Sequence, residues 1–297
     1  MSKNTPRIAA IVHIYYPEFW PELVGCLRNI DEPFDLFVTV RSDPEGDAIC
    51  GKVLEDFPFA RISRSENVGY DIWPFLSVIN TLDLSVYDII IKLHTKRDVS
   101  KYDIINRVDV SGGKWRQYLL RFISSEKAWA ATKKRFDSPN IGAVASQEVI
   151  LSYQQTPRAG RSTYRRALLL AYHILHKRPP RNYNFVAGTM FAVRASLLKS
   201  LQGVFNCRDF AKADKFHTEG LAHEVERLLG LVVAIEGMEL VPWKGNLAVF
   251  RFWSMLRFYT IKFFYQRKVK KNGVVVYKVL RIPIWRAKVP LEDDSLG

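Results

Sequence analysis

Cysteine is scarce in this 297-residue chain. Cys26, Cys50 and Cys207 stand far apart, with no CxxC pair and no His/Cys spacing suited to zinc. That excludes a disulfide framework and fits a reducing cytoplasm. No stretch approaches the roughly 20 apolar residues that cross a bilayer. The opening MSKNTPR runs straight into a strand, so no signal peptide is expected. Carboxylates are missing from two long segments, one between Val149 and Arg208 and one between Leu240 and Leu291. The first holds Arg158, Arg161, Arg165, Arg166, Lys177, Arg178 and Arg181. The second holds Arg251, Arg257, Lys262, Arg267, Lys268, Lys270, Lys271, Lys278, Arg281, Arg286 and Lys288. The formal net charge of +14 is therefore local, and local charge points to a local purpose.

What is present suits a globular protein: 48% hydrophobic and 25% charged residues, with enough length for a large core. The alternation is strand, helix, strand, helix, strand, helix, strand. Ile8–Ile14, Phe34–Val40, Ala60–Ser63 and Tyr87–Ile91 are the strands, and 18–29, 46–57 and 71–82 the helices. That rhythm predicts a mostly parallel, Rossmann-type α/β sheet flanked by helices. Further on, 114–124, 125–136, 164–176, 195–201 and 218–230 read as helices, the last ended by Gly230. Ile141–Ala145 and Leu231–Ile235 read as strands, and 184–194 as turn, strand and sheet edge. The division expected is a domain over 1–240 and a basic, aromatic extension over 241–297.

Two polar clusters carry chemistry. Asn67-Val68-Gly69-Tyr70-Asp71 opens a helix, and Lys92-Leu93-His94-Thr95-Lys96 follows the apolar run Ile89–Ile91. Polar groups at the C-terminal end of a buried strand lie where open α/β sheets bind ligands. A cationic, donor-rich exit suits a phosphate-bearing substrate. Lys92 reads equally as one half of an internal ion pair, and Asp71 as a helix cap. Glu219, His223, Glu226 and Arg227 share one helix face, where a carboxylate and an imidazole can form a base and its partner, or plain surface ion pairs.

The extension differs in character. Phe252, Met255, Leu256, Tyr259 and Phe263 share a helical face, with Arg251, Arg257 and Lys262 off it. Lys271-Asn272-Gly273 suits a hairpin turn between 263–270 and 274–282. Such a helix either packs on the domain or lies on an anionic membrane surface.

In order, HIYYPEFWPEL, FDLFVTV, ENVGYDIWPFL, KLHTKR, WR, FVAGTMFAVR and LAHEVERLLG resemble the rhamnan synthesis protein F family, over about Ile8 to Gly230. The resemblance departs at Tyr70, where Asn-x-Gly-Arg-Asp is common. It implies a GT-A-like fold and bacterial surface-polysaccharide synthesis such as O-antigen, capsule or rhamnan. A sugar, often rhamnose, would pass from a nucleotide-diphosphate donor, dTDP-rhamnose favoured, to a lipid-linked or polysaccharide acceptor. Such enzymes commonly hold a metal with Asp-x-Asp, a motif absent here. Cationic side chains are expected in its place, no cofactor is expected, and a divalent metal stays open. The expected donor contacts are His13, Tyr15, Thr39, Arg41, Asn67, Gly69, Asp71, Lys92, His94, Thr95 and Lys96, with Lys96 and His94 on the diphosphate. Trp115, Arg116, Gly188, Thr189 and Met190 would border donor sugar or acceptor. Glu226, then Glu219 and His223, are the candidate base for an inverting transfer. The place expected is the cytoplasmic face of the plasma membrane, with no nucleic-acid partner; the alternatives are a non-catalytic basic adaptor for anionic membrane or nucleic acid, and a degenerate transferase that binds donor without turnover.

Overall fold

A computed structural model describes residues 5–100, 103–156, 160–214, 220–269, 274–279 and 282–288. The chain forms two compact units, Met1–Leu247 and Ala248–Gly297.

The first unit is built on a seven-stranded, mostly parallel sheet flanked by helices, the α/β class expected. β1 (Ile8–Ile14) is apolar on both faces and buried throughout, as a central parallel strand requires. It lies between β2 (Phe34–Arg41) and β4 (Ile89–His94), with β3 (Arg61–Ser65) beyond β2. The crossovers are α1 (Trp20–Leu27), α2 (Pro44–Asp56) and α3 (Ile72–Ile79). Asp43 caps α2, its carboxylate accepting from Gly46 N–H, with Pro44 in the first turn. A short hairpin, β5 (Ile104–Ile105) and β6 (Val108–Asp109), precedes α4 (Lys114–Leu120) and α5 (Glu126–Arg135). Next come β7 (Ile141–Ala145), β8 (Ile150–Leu151), α6 (Arg161–Leu175), β9 (Phe185–Val186) and β10 (Phe191–Arg194). Then follow α7 (Ala195–Leu198), α8 (Cys207–Asp214), α9 (Leu221–Ile235) and β11 (Glu239–Pro242). The large sheet runs β11-β7-β10-β4-β1-β2-β3, with β10 antiparallel to both its neighbours.

Three expectations need correction. The fourth strand does not stop at Ile91 but runs to His94, so Lys92 and His94 are strand residues and not part of an exit turn. The segment read as a sheet edge is β10, an interior strand paired on both sides. The strand expected at Leu231–Ile235 is the last third of α9, and Gly230 lies inside that helix instead of ending it. Gly230 is there for contact, because a Cβ on it would fall 2.2 Å from Asn184 O and 2.8 Å from Phe185 Cα. The terminal strand of the sheet, β11, has no counterpart in the sequence reading.

The second unit holds most of α10 (Leu247–Phe264) and an antiparallel sheet of β12 (Tyr265–Val269), β13 (Val274–Val279) and β14 (Ile282–Lys288). The hairpin expected here is the β12–β13 pair, and its turn lies outside the described residues. Among the described residues no helix is long and apolar enough to cross a membrane.

Candidate functional site

Thr39, His13 and His94 stand side by side in register across β2, β1 and β4, near the C-terminal ends of three parallel strands. Lys92, two residues before His94, shares its face, because strand side chains alternate. Across from Lys92 lies Phe191, so the turn that enters β10 arrives at the same end of the sheet. This places 187–190 beside the exit of β4.

His13 Nδ1 and Thr39 Oγ1 are hydrogen-bonded at 2.9 Å, and both residues are buried. Burial, helped by Lys92 and Arg41, lowers the His13 imidazole to about 4 against the pull of Asp71. Lys92, 1% exposed, donates to Asp71 Oδ2 at 2.5 Å and to Thr189 Oγ1 at 2.8 Å, while the Thr189 hydroxyl also bonds Asp71. Burial draws the Lys92 ammonium down, opposed by Asp71. Burial also acts against the Asp71 carboxylate, but His94 and Lys92, with hydrogen bonds from Lys92 and Thr189, hold it well below the usual range. Burial keeps His94 itself far below its ordinary value, hence neutral, so Lys92 is the charge that keeps Asp71 ionised. Of the two readings open for Lys92, the internal ion pair is the one present. The capping role of Asp71 is corrected too, since its side chain makes no cap bond to α3 and turns toward β4 instead.

The turn before β10 is held from both ends. Gly188 (φ +78°) and Thr189 (φ +50°) are consecutive left-handed residues. Gly188 N–H donates to Glu226 Oε1 at 2.7 Å, and Glu226 Oε2 accepts from Arg227 at 2.9 Å. A Cβ on Gly188 would meet Leu119 at 2.9 Å and Trp115 at 3.1 Å. Trp115 is therefore buried packing beneath this turn, and Met190 is wholly buried. Arg116 bonds Glu22 and Asp98, reaches the Lys96 carbonyl at 3.4 Å and lies over Phe19, tying the segment after β4 to α1. Trp115 is thus engaged in packing and Arg116 in ion pairs with Glu22 and Asp98.

Just past β4, buried Thr95 Oγ1 accepts from the backbone N–H groups of Tyr15 and Tyr16 at 2.9 and 2.8 Å. Arg41 lies over the Tyr15 ring at 4.8 Å and pairs with Asp43 and Glu45, and Asn67 reaches the Tyr15 hydroxyl at 3.4 Å. Gly69 (φ +65°) is needed where a Cβ would strike Phe210 at 2.6 Å. Lys96 is half-buried and makes no ion pair among the described residues. Exposed Arg97 lies over the Tyr16 ring at 4.4 Å, an arrangement the sequence reading did not single out and no local spacing signals. His94 is 4% exposed and neither ring nitrogen has a hydrogen-bond partner, with Asp71 Oδ2 3.5 Å from Nδ1. His223 packs edge-on to Tyr70 at 5.7 Å, and its buried Nδ1 lacks a hydrogen-bond partner. Glu219 lies outside the described residues. Among the described residues no three or more His, Cys, Asp or Glu side chains gather as for a metal ion.

The model of the rhamnan synthesis protein F family matches residues 1–238. This chain belongs to that family. Among its relatives are the proteins named "uncharacterized protein WxcX" of Xanthomonas campestris pv. campestris, strains B100 and ATCC 33913, each 24% identical over 250 residues. The match covers 82% of this chain and 34% of theirs, so this member of the family spans about a third of the length of those curated relatives. A looser likeness is to the crystal structure of S. aureus TarS 1–349, at TM-score 0.38 and 10% identity over 76% of this chain and 55% of that one. A TM-score that low bears on neither fold nor chemistry.

Proposed function

We propose that this chain is a glycosyltransferase domain of cell-surface glycan synthesis. It moves a sugar, rhamnose first and another deoxyhexose or hexose next, from a nucleotide-diphosphate donor to a lipid-linked or polysaccharide acceptor. What supports this reading is one observation: in a member of the rhamnan synthesis protein F family, Lys96 and Arg97, which make no ion pair among the described residues, follow the strand whose buried His94 imidazole has no hydrogen-bond partner there. Transfer requires charge stabilisation on the leaving diphosphate and a base for the acceptor hydroxyl.

In this reading Lys96 and Arg97 face the diphosphate, and the orphaned imidazole of His94 supplies a hydrogen bond instead of a charge. Lys92 acts through Asp71 and Thr189, as a positioning residue. Glu226 holds the Gly188 turn with one oxygen and Arg227 with the other, which leaves His223 the better candidate to take the acceptor proton. Asp71 and Glu226 are each held by a cation, which favours direct displacement with inversion over a covalent intermediate.

The test is thermal-shift screening of nucleotide sugars, dTDP-rhamnose among them, with and without divalent cations, followed by product analysis. Stabilisation by a nucleotide sugar without added metal, and turnover with an acceptor glycan, is the expected result. No stabilisation by any nucleotide sugar would refute the proposal, and a shift needing manganese would overturn its metal-free form.

A further inference from the structure

The largest run of exposed apolar side chains in the described structure belongs to α10. Phe252, Trp253 and Tyr259 are 54%, 61% and 56% exposed, and Met255 and Leu256 are exposed as well. Positions 252, 255, 256 and 259 recur at helical spacing on one face, and Trp253 stands beside Leu256. Singly exposed apolar residues need no explanation, but five on one helix face form a patch that marks an interaction site. The helix is 18 residues long, and no helix among the described residues is apolar enough to cross a bilayer.

Charge decides the occupant. Arg251 flanks the apolar face on one side and exposed Arg257 on the other. From Ala248 to Gly297 the sequence has eleven Lys and Arg against three carboxylates, and those three fall together at 292–294. A nucleic acid would match the charge but leave five apolar side chains without a partner. A second copy of the chain would match the apolar face but bring its own cations against these. A bilayer with anionic headgroups satisfies both: side chains enter the acyl boundary, the Trp and Tyr rings sit at headgroup depth, and exposed Arg257 meets lipid phosphate.

We propose that α10 is an in-plane membrane-binding helix that seats this chain on an anionic lipid surface through Phe252, Trp253, Leu256 and Tyr259. The inference is independent of the transfer reading, since a chain that binds vesicles and no nucleotide sugar would leave it standing.

The experiment is co-sedimentation of the full chain with vesicles of phosphatidylcholine alone and of phosphatidylcholine with about one third phosphatidylglycerol. Binding is expected to the anionic vesicles, weakened but not abolished by high salt. The double substitution Phe252→Ser/Leu256→Ser is expected to reduce it at least about tenfold with an unchanged circular dichroism spectrum. Trp253→Phe keeps binding, and its comparison with the parent chain under brominated lipid reports whether Trp253 itself enters the bilayer. The proposal fails if anionic vesicles do not sediment the chain, or if the double variant binds as before. It fails equally if no quenching is assigned to Trp253. A dimer in solution that the double variant dissolves would make a second copy the occupant and overturn it too.

Discussion

Lys92 Nζ lies 2.5 Å from Asp71 Oδ2, joining the middle of β4 to the residue before α3. Thr189 bonds both partners, so the turn into β10 is fastened to the same pair. The Lys92 side chain is 1% exposed and that of Asp71 19%, so the ammonium is cut off from water while the carboxylate keeps a partly open side. Lys92→Met would strand a part-buried carboxylate. The expected cost is about 3–5 kcal/mol, the range for breaking a buried pair from one side. Urea unfolding measures it. Lys92→Met with Asp71→Asn removes both charges and should cost clearly less than the sum of the single variants. Additive costs would mean that the two side chains do not act as a pair.

Acid should loosen this fold earlier than carboxylate titration alone would. His13 titrates near 6.5 when unfolded and at about 4 in the folded chain. Below 6.5 the unfolded state therefore binds a proton that the native state refuses. The contribution is complete above 6.5 and is lost as pH falls toward about 4, to a total of about 3 kcal/mol. His94, shifted in the same direction by burial, adds to the slope. Urea midpoints measured from pH 7.5 to 4 should fall steadily. In His13→Asn, which keeps a donor for Thr39, the fall should be visibly shallower. An identical profile in that variant would remove His13 as a source.

How much of this was legible varies with the kind of signal. Ile8–Ile14 and Phe34–Val40 read as strands because buried parallel strands are apolar on both faces, and that pattern is local. The same criterion cut β4 short at Ile91, because it treats Lys92 and His94 as surface residues; what buries them is Asp71 from a distant helix start and Thr189 from a turn 97 residues on. Leu231–Ile235 is as apolar and β-branched as a strand, yet it continues α9. Gly230 is no stop signal there, because Asn184 and Phe185 need the space a side chain would fill. At the site, the residue types expected did converge at one sheet end, but their division into positioning and solvent-facing groups depends on partners that no spacing reveals. Arg116 is the clearest example, a motif residue whose guanidinium is occupied by Glu22 and Asp98.

The turn at Gly188 offers a local test of the clamp. Gly188→Ala must accept φ +78° and place a methyl 2.9 Å from Leu119, so a loss of about 1–3 kcal/mol is expected, with nucleotide-sugar binding weakened along with it. Glu226→Gln keeps an oxygen for Gly188 N–H and should retain most transfer. His223→Asn should lose it, by about 10²-fold or more for a general base, at unchanged donor affinity. Transfer lost in Glu226→Gln and kept in His223→Asn would return the base to Glu226.

Lys96 separates ligand binding from folding most cleanly. It is half-buried and makes no ion pair among the described residues, so no described partner calls for its charge. Lys96→Ala should therefore change apo stability by no more than about 0.5 kcal/mol, as for a surface substitution. A charge-assisted bond to a diphosphate contributes about 1.5–3 kcal/mol, so affinity for a nucleotide-diphosphate sugar should fall roughly ten- to a hundredfold. Thermal shift reads both quantities in one experiment, from the midpoint without ligand and its displacement with ligand. Lys96→Arg keeps the charge and should keep most of the displacement. Should Lys96→Ala bind as tightly as the parent chain, the diphosphate would have to lie elsewhere along the sheet end, and Arg97 over Tyr16 would be the next cation to change.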